Sequence, residues 1–334
     1  MSGPKCSEYT LTPEQRRKLD EERLCKFNLQ IEEYRKKNRR EELEKKMQIE
    51  SADNNIAVAF SSFAETSNKT NIKTDSTETR LINQLNSMLT DNQLSMDLIP
   101  QIEAKISRLC SITDKNYRKN FIAVSIKPLL KEYEQYKELK IKHEVLCSIS
   151  DVSYQPIKFS DSSLENLNQE ISWLESKIAE DEEKAYIQKS IDEVMSDMGY
   201  DVIGHRDVTK KSGKHFRNEL YSYEDGTAVN VTFSDDGDIA MELCGLDDTD
   251  RLPETSEANQ LCDCMESFCK DFTEIEKRLK VKGVVLKRRL HMLPPDVEHA
   301  QIINVSEYES ESNTTNFKDQ RKHKVKSKTL QRNV

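Results

Sequence analysis

From Ser163 to Met198 apolar residues recur at steps of three and four, a spacing that predicts one long amphipathic helix. Leu164, Leu167, Ile171, Leu174 and Ile178 make a narrow seam of the kind that lies against a partner helix. Asp181 and Glu182 stand where the next apolar residue is due, and the stripe resumes out of phase at Ala185, Ile187, Ile191, Val194 and Met198. The interruption reads as a phase skip in a coiled coil or as a handover from one packing partner to another.

Upstream of this helix, the helical period also governs. Residues 1–11 carry no sustained pattern and read as a flexible end. Thr12-Pro13-Glu14-Gln15 is a helix start, with a capping hydroxyl, proline at the first helical position and glutamine placed to close a capping box. Leu19, Leu24, Phe27, Ile31 and Tyr34 follow as a sparse stripe in dense mixed charge, so 12–50 reads as a charged helical arm. Residues 51–76 read as a hinge ending in the polar run Ser67–Ser76. Amphipathic segments then fill 77–150 in the manner of a helical bundle, and Pro128 either kinks the last helix or marks its true start. His143, in that helix, reads as partly exposed. Residues 151–162, with Pro156, form a linker into the helix over 163–198.

After Gly199 the period falls to two. A strand near Tyr200–His205 is followed by runs in which Glu219, Tyr221 and Tyr223, then Val229, Val231 and Phe233, then Ile239, Met241 and Leu243 share one face. Asp225-Gly226 and Asp236-Gly237 between the runs are hairpin signals. A helix over about 254–280 can cover the sheet, Val284–Met292 reads as a last strand, and a short helix over about 296–305 closes the domain. Residues 306–334 read as a disordered tail, basic at its end. The expected fold class is therefore predominantly α-helical, a helical bundle or coiled coil, with a C-terminal α+β domain at 199–305 holding an antiparallel sheet of about four to five strands.

Composition supports long helices with wet faces, since 33% of residues are charged and the chain spends only 8 glycines and 8 prolines. A net charge of −9 argues against attraction of the whole chain to nucleic acid. No apolar h-region follows Met1 and no apolar run approaches spanning length, so neither a secretory leader nor a membrane span is expected. The eight cysteines lack a disulfide framework and suit a reducing, cytoplasmic setting.

The chemistry of named sites is mostly excluded. Asp235-Asp236-Gly237-Asp238 lacks the spacing of a calcium loop. Cys262 and Cys264 point about 160° apart on a helix, so Cys262, Cys264 and Cys269 cannot converge on one zinc ion. Phosphate-binding glycine loops and the serine-hydrolase elbow are missing. No catalytic, cofactor-binding or metal residues are expected, and no cofactor.

What remains is recognition. The expected function is a non-enzymatic intracellular scaffold or adaptor. It would self-associate through the seam Leu164, Leu167, Ile171, Leu174 and Ile178, with a dimer as the first expectation, and dock a partner protein through the α+β domain. Lys287, Arg288, Arg289, Arg321 and Lys322 are candidate contacts for an anionic partner, which keeps a nucleic-acid accessory role as the first alternative. The second is an enzyme subunit whose site, gathering Cys244, Glu242, His205 or His291, is completed by a partner.

Overall fold

A computed structural model describes residues 3–60 and 76–309. The Thr12 hydroxyl accepts a hydrogen bond from the Gln15 N–H at 3.3 Å, and helix α1 runs from Pro13 to Phe60. This is the hydroxyl half of the expected capping box; the Thr12 N–H goes instead to Gly283 O at 2.7 Å, and the helix continues through the first residues of the expected hinge. The polar run from Ser67 lies outside the described residues up to its last residue, Ser76, where α2 starts.

The chain divides into two units, one of residues 21–180 and one joining residues 1–20 to 181–334. Both boundaries fall inside helices, α1 and α6 (Ser163–Asp197).

The helical unit holds α2 (Ser76–Leu89), α3 (Leu98–Ser111), α4 (Lys115–Phe121), α5 (Lys127–Ile149) and the first half of α6. A π-type turn at Ile122–Ile126 joins α4 to α5, with the Lys127 N–H bonded to Ile122 O. Pro128 explains that turn: without an N–H it cannot serve the Val124 carbonyl one helical turn back, so the ladder widens before α5 starts. Leu85, Ile102, Ile126, Tyr136, Phe159 and Leu167 make one core of this unit. Ile171, Leu174 and Ile178 pack with Leu146 and Cys147 in a second. His143 is buried against Cys147, not half-exposed as its surroundings in sequence suggested.

The other unit is built on one seven-stranded sheet. Its strands are β1 (Lys5–Leu11), β2 (Val202–Thr209), β3 (His215–Ser222), β4 (Thr227–Ser234), β5 (Asp238–Asp247), β6 (Val284–Met292) and β7 (Ile302–Asn304). The order is β2-β3-β4-β5-β1-β6, antiparallel throughout. The short β7 runs parallel to the far end of β5, at Gly245–Asp247, beyond the stretch that β5 shares with β1. Gly226 and Gly237 turn the hairpins at φ 79° and 87°, values open to glycine without strain. Helix α7 (Thr255–Val281) and the second half of α6 cover one face, where Ile191, Met195, Val229, Val231, Met241, Phe268 and Ile275 interlock. Each such side chain contributes about 1.5–3 kcal/mol on leaving water.

These strands correct the expected fold class. About 59% of the chain is helical, yet a seven-stranded sheet sits beside the helices, so the fold is mixed and not a helical bundle or coiled coil with a small appendage. Two strands account for the difference. β1 comes from the N-terminal segment read as a flexible end, and it lies in the sheet between β5 and β6. β7 forms where a short helix was expected, of which a single 3-10 turn at Val297–His299 exists.

Candidate functional site: the open edge of the sheet

A sheet that is not closed ends in two edge strands, each with a row of backbone donors and acceptors to satisfy. At the β2 edge the row is partly met by the chain itself. His205 and Glu309 exchange backbone hydrogen bonds of 3.2 and 2.9 Å, and Arg206 pairs with Glu307. At the other edge, β6 pairs with β1 on its inner side, and among the described residues no strand pairs with its outer side.

β6 forms because Gly283, at φ 81°, stops α7 and sends the chain back along the sheet. A Cβ there would stand 2.8 Å from Gln15 Cβ, so the return is tight as well as left-handed. The nine residues of β6 then alternate loosely, broken by shifts in register opposite Cys6/Ser7 and Glu8/Tyr9. Leu286 is 41% exposed, and Lys287 and Arg288 have side chains 58% and 68% exposed.

The three expected anion contacts on this strand differ. Lys287 Nζ reaches Glu8 Oε1 at 2.6 Å, and Arg288 Nε approaches the same carboxylate at 3.8 Å. One negative charge thus faces two positive ones, leaving an excess cation on the rim. Arg289 is turned inward: it pairs with Glu276 at 2.8 Å and its guanidinium lies 5.5 Å from the Phe272 ring centroid. Arg321 and Lys322 lie outside the described residues.

The expected association seam is covered by residues of its own chain. Leu167 is enclosed in the core with Tyr133, Tyr136 and Phe159, and Ile171, Leu174 and Ile178 in the core with Leu146. Leu164 packs at the border of the first. Trp173, beside the seam, is 53% exposed and has Lys177 Nζ 5.6 Å from its ring.

The residues of the enzyme reading are not brought together. Cys244 is buried, donates to Ala228 O at 3.3 Å, and burial pushes its thiol far up. Glu242 accepts from Gln301 at 2.8 Å. His205 is on the β2 edge and exposed His291 on β6, at opposite ends of the sheet. Cys264 donates to Glu224 at 3.6 Å, with burial pushing its thiol up to about 11. Among the described residues no three His, Cys, Asp or Glu side chains are placed to share a metal ion. Among them too, no helix is long and apolar enough to cross a membrane.

No family model, curated protein or solved structure matches this chain.

Two polar clusters went unnoticed in the sequence. Lys5, on β1, is 1% exposed, its ammonium held 4.3 and 4.6 Å from the ring centroids of Phe268 and Phe272 without a hydrogen-bond partner. On the face covered by α6, Asp192, Glu219 and Tyr221 meet side by side. The one available signal was Glu219 on the apolar face with Tyr221 and Tyr223, where a charge demands partners.

Proposed function

We propose that this protein is a docking adaptor whose sheet unit captures an extended acidic segment of a partner protein by strand addition at β6. The observation that carries the reading is the open outer edge of β6 beside a doubly shared Glu8. An added strand would supply hydrogen bonds to the unpaired backbone, and alternate side chains of the partner would settle specificity. Acidic residues on it would meet the cation that Glu8 leaves over, and apolar ones would cover Leu286. Strand addition also explains why the edge is charged: lysine and arginine discourage indiscriminate pairing with other sheets while admitting a complementary strand.

The test is selection from a random twelve-residue peptide display library on the full chain, followed by affinity measurement. Acidic, β-prone peptides should be enriched and should bind the K287E/R288E double variant at least about tenfold more weakly, one decade being about 1.4 kcal/mol. Enrichment of no peptide class, or peptides indifferent to the double charge reversal, would sink the proposal.

A further inference from the structure

Asp192 lies on the second half of α6 and faces β3 of the same unit. Tyr221 Oη is 2.8 Å from Glu219 Oε2 and hydrogen-bonds Asp192 Oδ1 as well. Glu219 is 4% exposed, and its Oε1 accepts from Gln188 Nε2 at 2.6 Å and from Arg217 Nε at 2.9 Å. The one phenol thus bridges the two carboxyl groups.

A count of protons decides what this cluster holds. The phenol lies within hydrogen-bond distance of two carboxyl oxygens but supplies one hydrogen. It donates to one of them, and the other contact is a hydrogen bond only when that carboxyl carries a proton of its own. Gln188 and Arg217 both donate to Glu219 and so favour its charged form. The second proton therefore belongs to Asp192.

We propose that Asp192, Tyr221 and Glu219 form a proton-operated latch that holds the second half of α6 on the sheet. With the proton in place, Asp192 donates to the Tyr221 oxygen and Tyr221 donates to Glu219. Without it, two carboxylates face each other across one phenolic hydrogen, with Arg217 as the facing cation. The neighbouring Glu193 is already engaged by Lys282 at 2.7 Å and Lys189 at 3.8 Å, so neither lysine is at hand to relieve the repulsion.

The direction of the response follows. Burial pushes the Asp192 carboxyl up to about 7, with Glu219 adding to it. Burial would raise Glu219 too, but its neighbours Asp192, Tyr221 and Arg217 outweigh it and hold that carboxyl below its usual range. An unfolded aspartate releases its proton near pH 4. Between about 4 and 7 the folded chain thus holds a proton that the unfolded chain lacks, and the stability this gives is lost as pH rises through 7. Glu219 acts oppositely, and its contribution is lost only at lower pH.

The test uses the full chain with carbon-13-labelled aspartate carboxyls, read by NMR against pH, with amide exchange at pH 6 and 8 corrected for intrinsic rates. One aspartate should titrate near 7, vanish from that range in D192N and move upward in Y221F, which removes the hydroxyl that favours ionised Asp192. Amides of 188–195 and 217–221 should exchange roughly tenfold faster at pH 8 than at pH 6, one pKa unit being worth a decade. They should not do so in D192N, whose amide keeps a donor toward Tyr221 at every pH. The latch is refuted if no aspartate titrates between pH 6 and 8, if the one that does is untouched by Y221F, or if D192N keeps the accelerated exchange.

Discussion

Lys5 places an ammonium group in a buried, aromatic-lined position of the sheet core. The rings of Phe268 and Phe272 attract the cation. They do not replace its water, so burial pulls the ammonium down to about 8, while Cys269 and Glu276 pull it partly back. A base depressed in the folded state costs stability wherever it is charged in both states, and the cost lifts as pH climbs from about 8 toward the ordinary lysine value. Relative to a chain lacking the ammonium, the unfolding midpoint should thus rise between pH 8 and 9.5, while the buried thiols of Cys244 and Cys264 lower both chains alike. Above 10 both should fall further, because buried Tyr9 and Tyr221 resist ionising in the fold and yield in the unfolded chain. Replacing the ammonium by a thioether should raise stability at pH 7 by about 1–3 kcal/mol and flatten the rise, since well-packed apolar groups generally match or exceed buried charges. Denaturant titrations of K5M at pH 7 and 9 check this. A K5M chain less stable than wild type by more than about 1 kcal/mol would mean that the ammonium is held by more than its rings.

At the scale of elements, α6 shows how far periodicity can be read. Its stripe breaks at Asp181 and Glu182, where the division between the two units also falls. Apolar residues before the break belong to cores with α5 residues, and Ile187, Ile191, Val194 and Met195 after it to the core of the sheet. Handover between packing partners is thus the meaning of the lost phase. What periodicity could not say was whether the partner belonged to another copy or to the same chain, because a three-four seam fits either. L174A and I191A separate the two halves. Each should cost about 2–5 kcal/mol as a large-to-small change at a buried site. In amide exchange, L174A should deprotect segments within 21–180 and I191A the strands β3–β5. If either substitution loosened both units equally, the break in the stripe would have no energetic counterpart.

β3 to β5 and α7 were legible because each places one set of side chains on one face at a constant period, with glycine where the direction reverses. The same rule failed for β1. Its buried positions are Lys5, Ser7, Tyr9 and Leu11, two of them polar, so alternation of burial leaves no alternation of hydropathy. β7 is too short to show a period at all. The open edge was no more visible, because strand order is settled by long-range pairing: Lys287 and Arg288 stood out as candidate anion contacts, but nothing in the sequence placed Glu8 against both.

For the whole molecule, the cost of missing β1 is the topology of its sheet unit, which joins the first twenty residues to the last part of the chain. β6 reaches the rest of the sheet only through β1, which bonds β5 from Lys5 to Glu8 and β6 from Lys5 to Leu11. Remove β1 and β5 exposes its edge, Met241 and Ile239 lose Tyr9 from their core, and β6 has no strand to pair with. An unpaired row of backbone groups beside an apolar face cannot be offset by the remaining contacts. Residues 181–309 expressed alone should therefore lack cooperative unfolding and bind hydrophobic dyes. Adding a peptide of residues 1–20 should restore a sigmoidal transition that shifts upward with peptide concentration, because the folded state alone binds the strand. Peptide carrying Tyr9→Ser and Leu11→Ser should fail, since those two residues place β1 in the core. A fragment that unfolds cooperatively without the peptide would show β1 to be an accessory to the sheet, and the β6 edge would then have to be sought on β5.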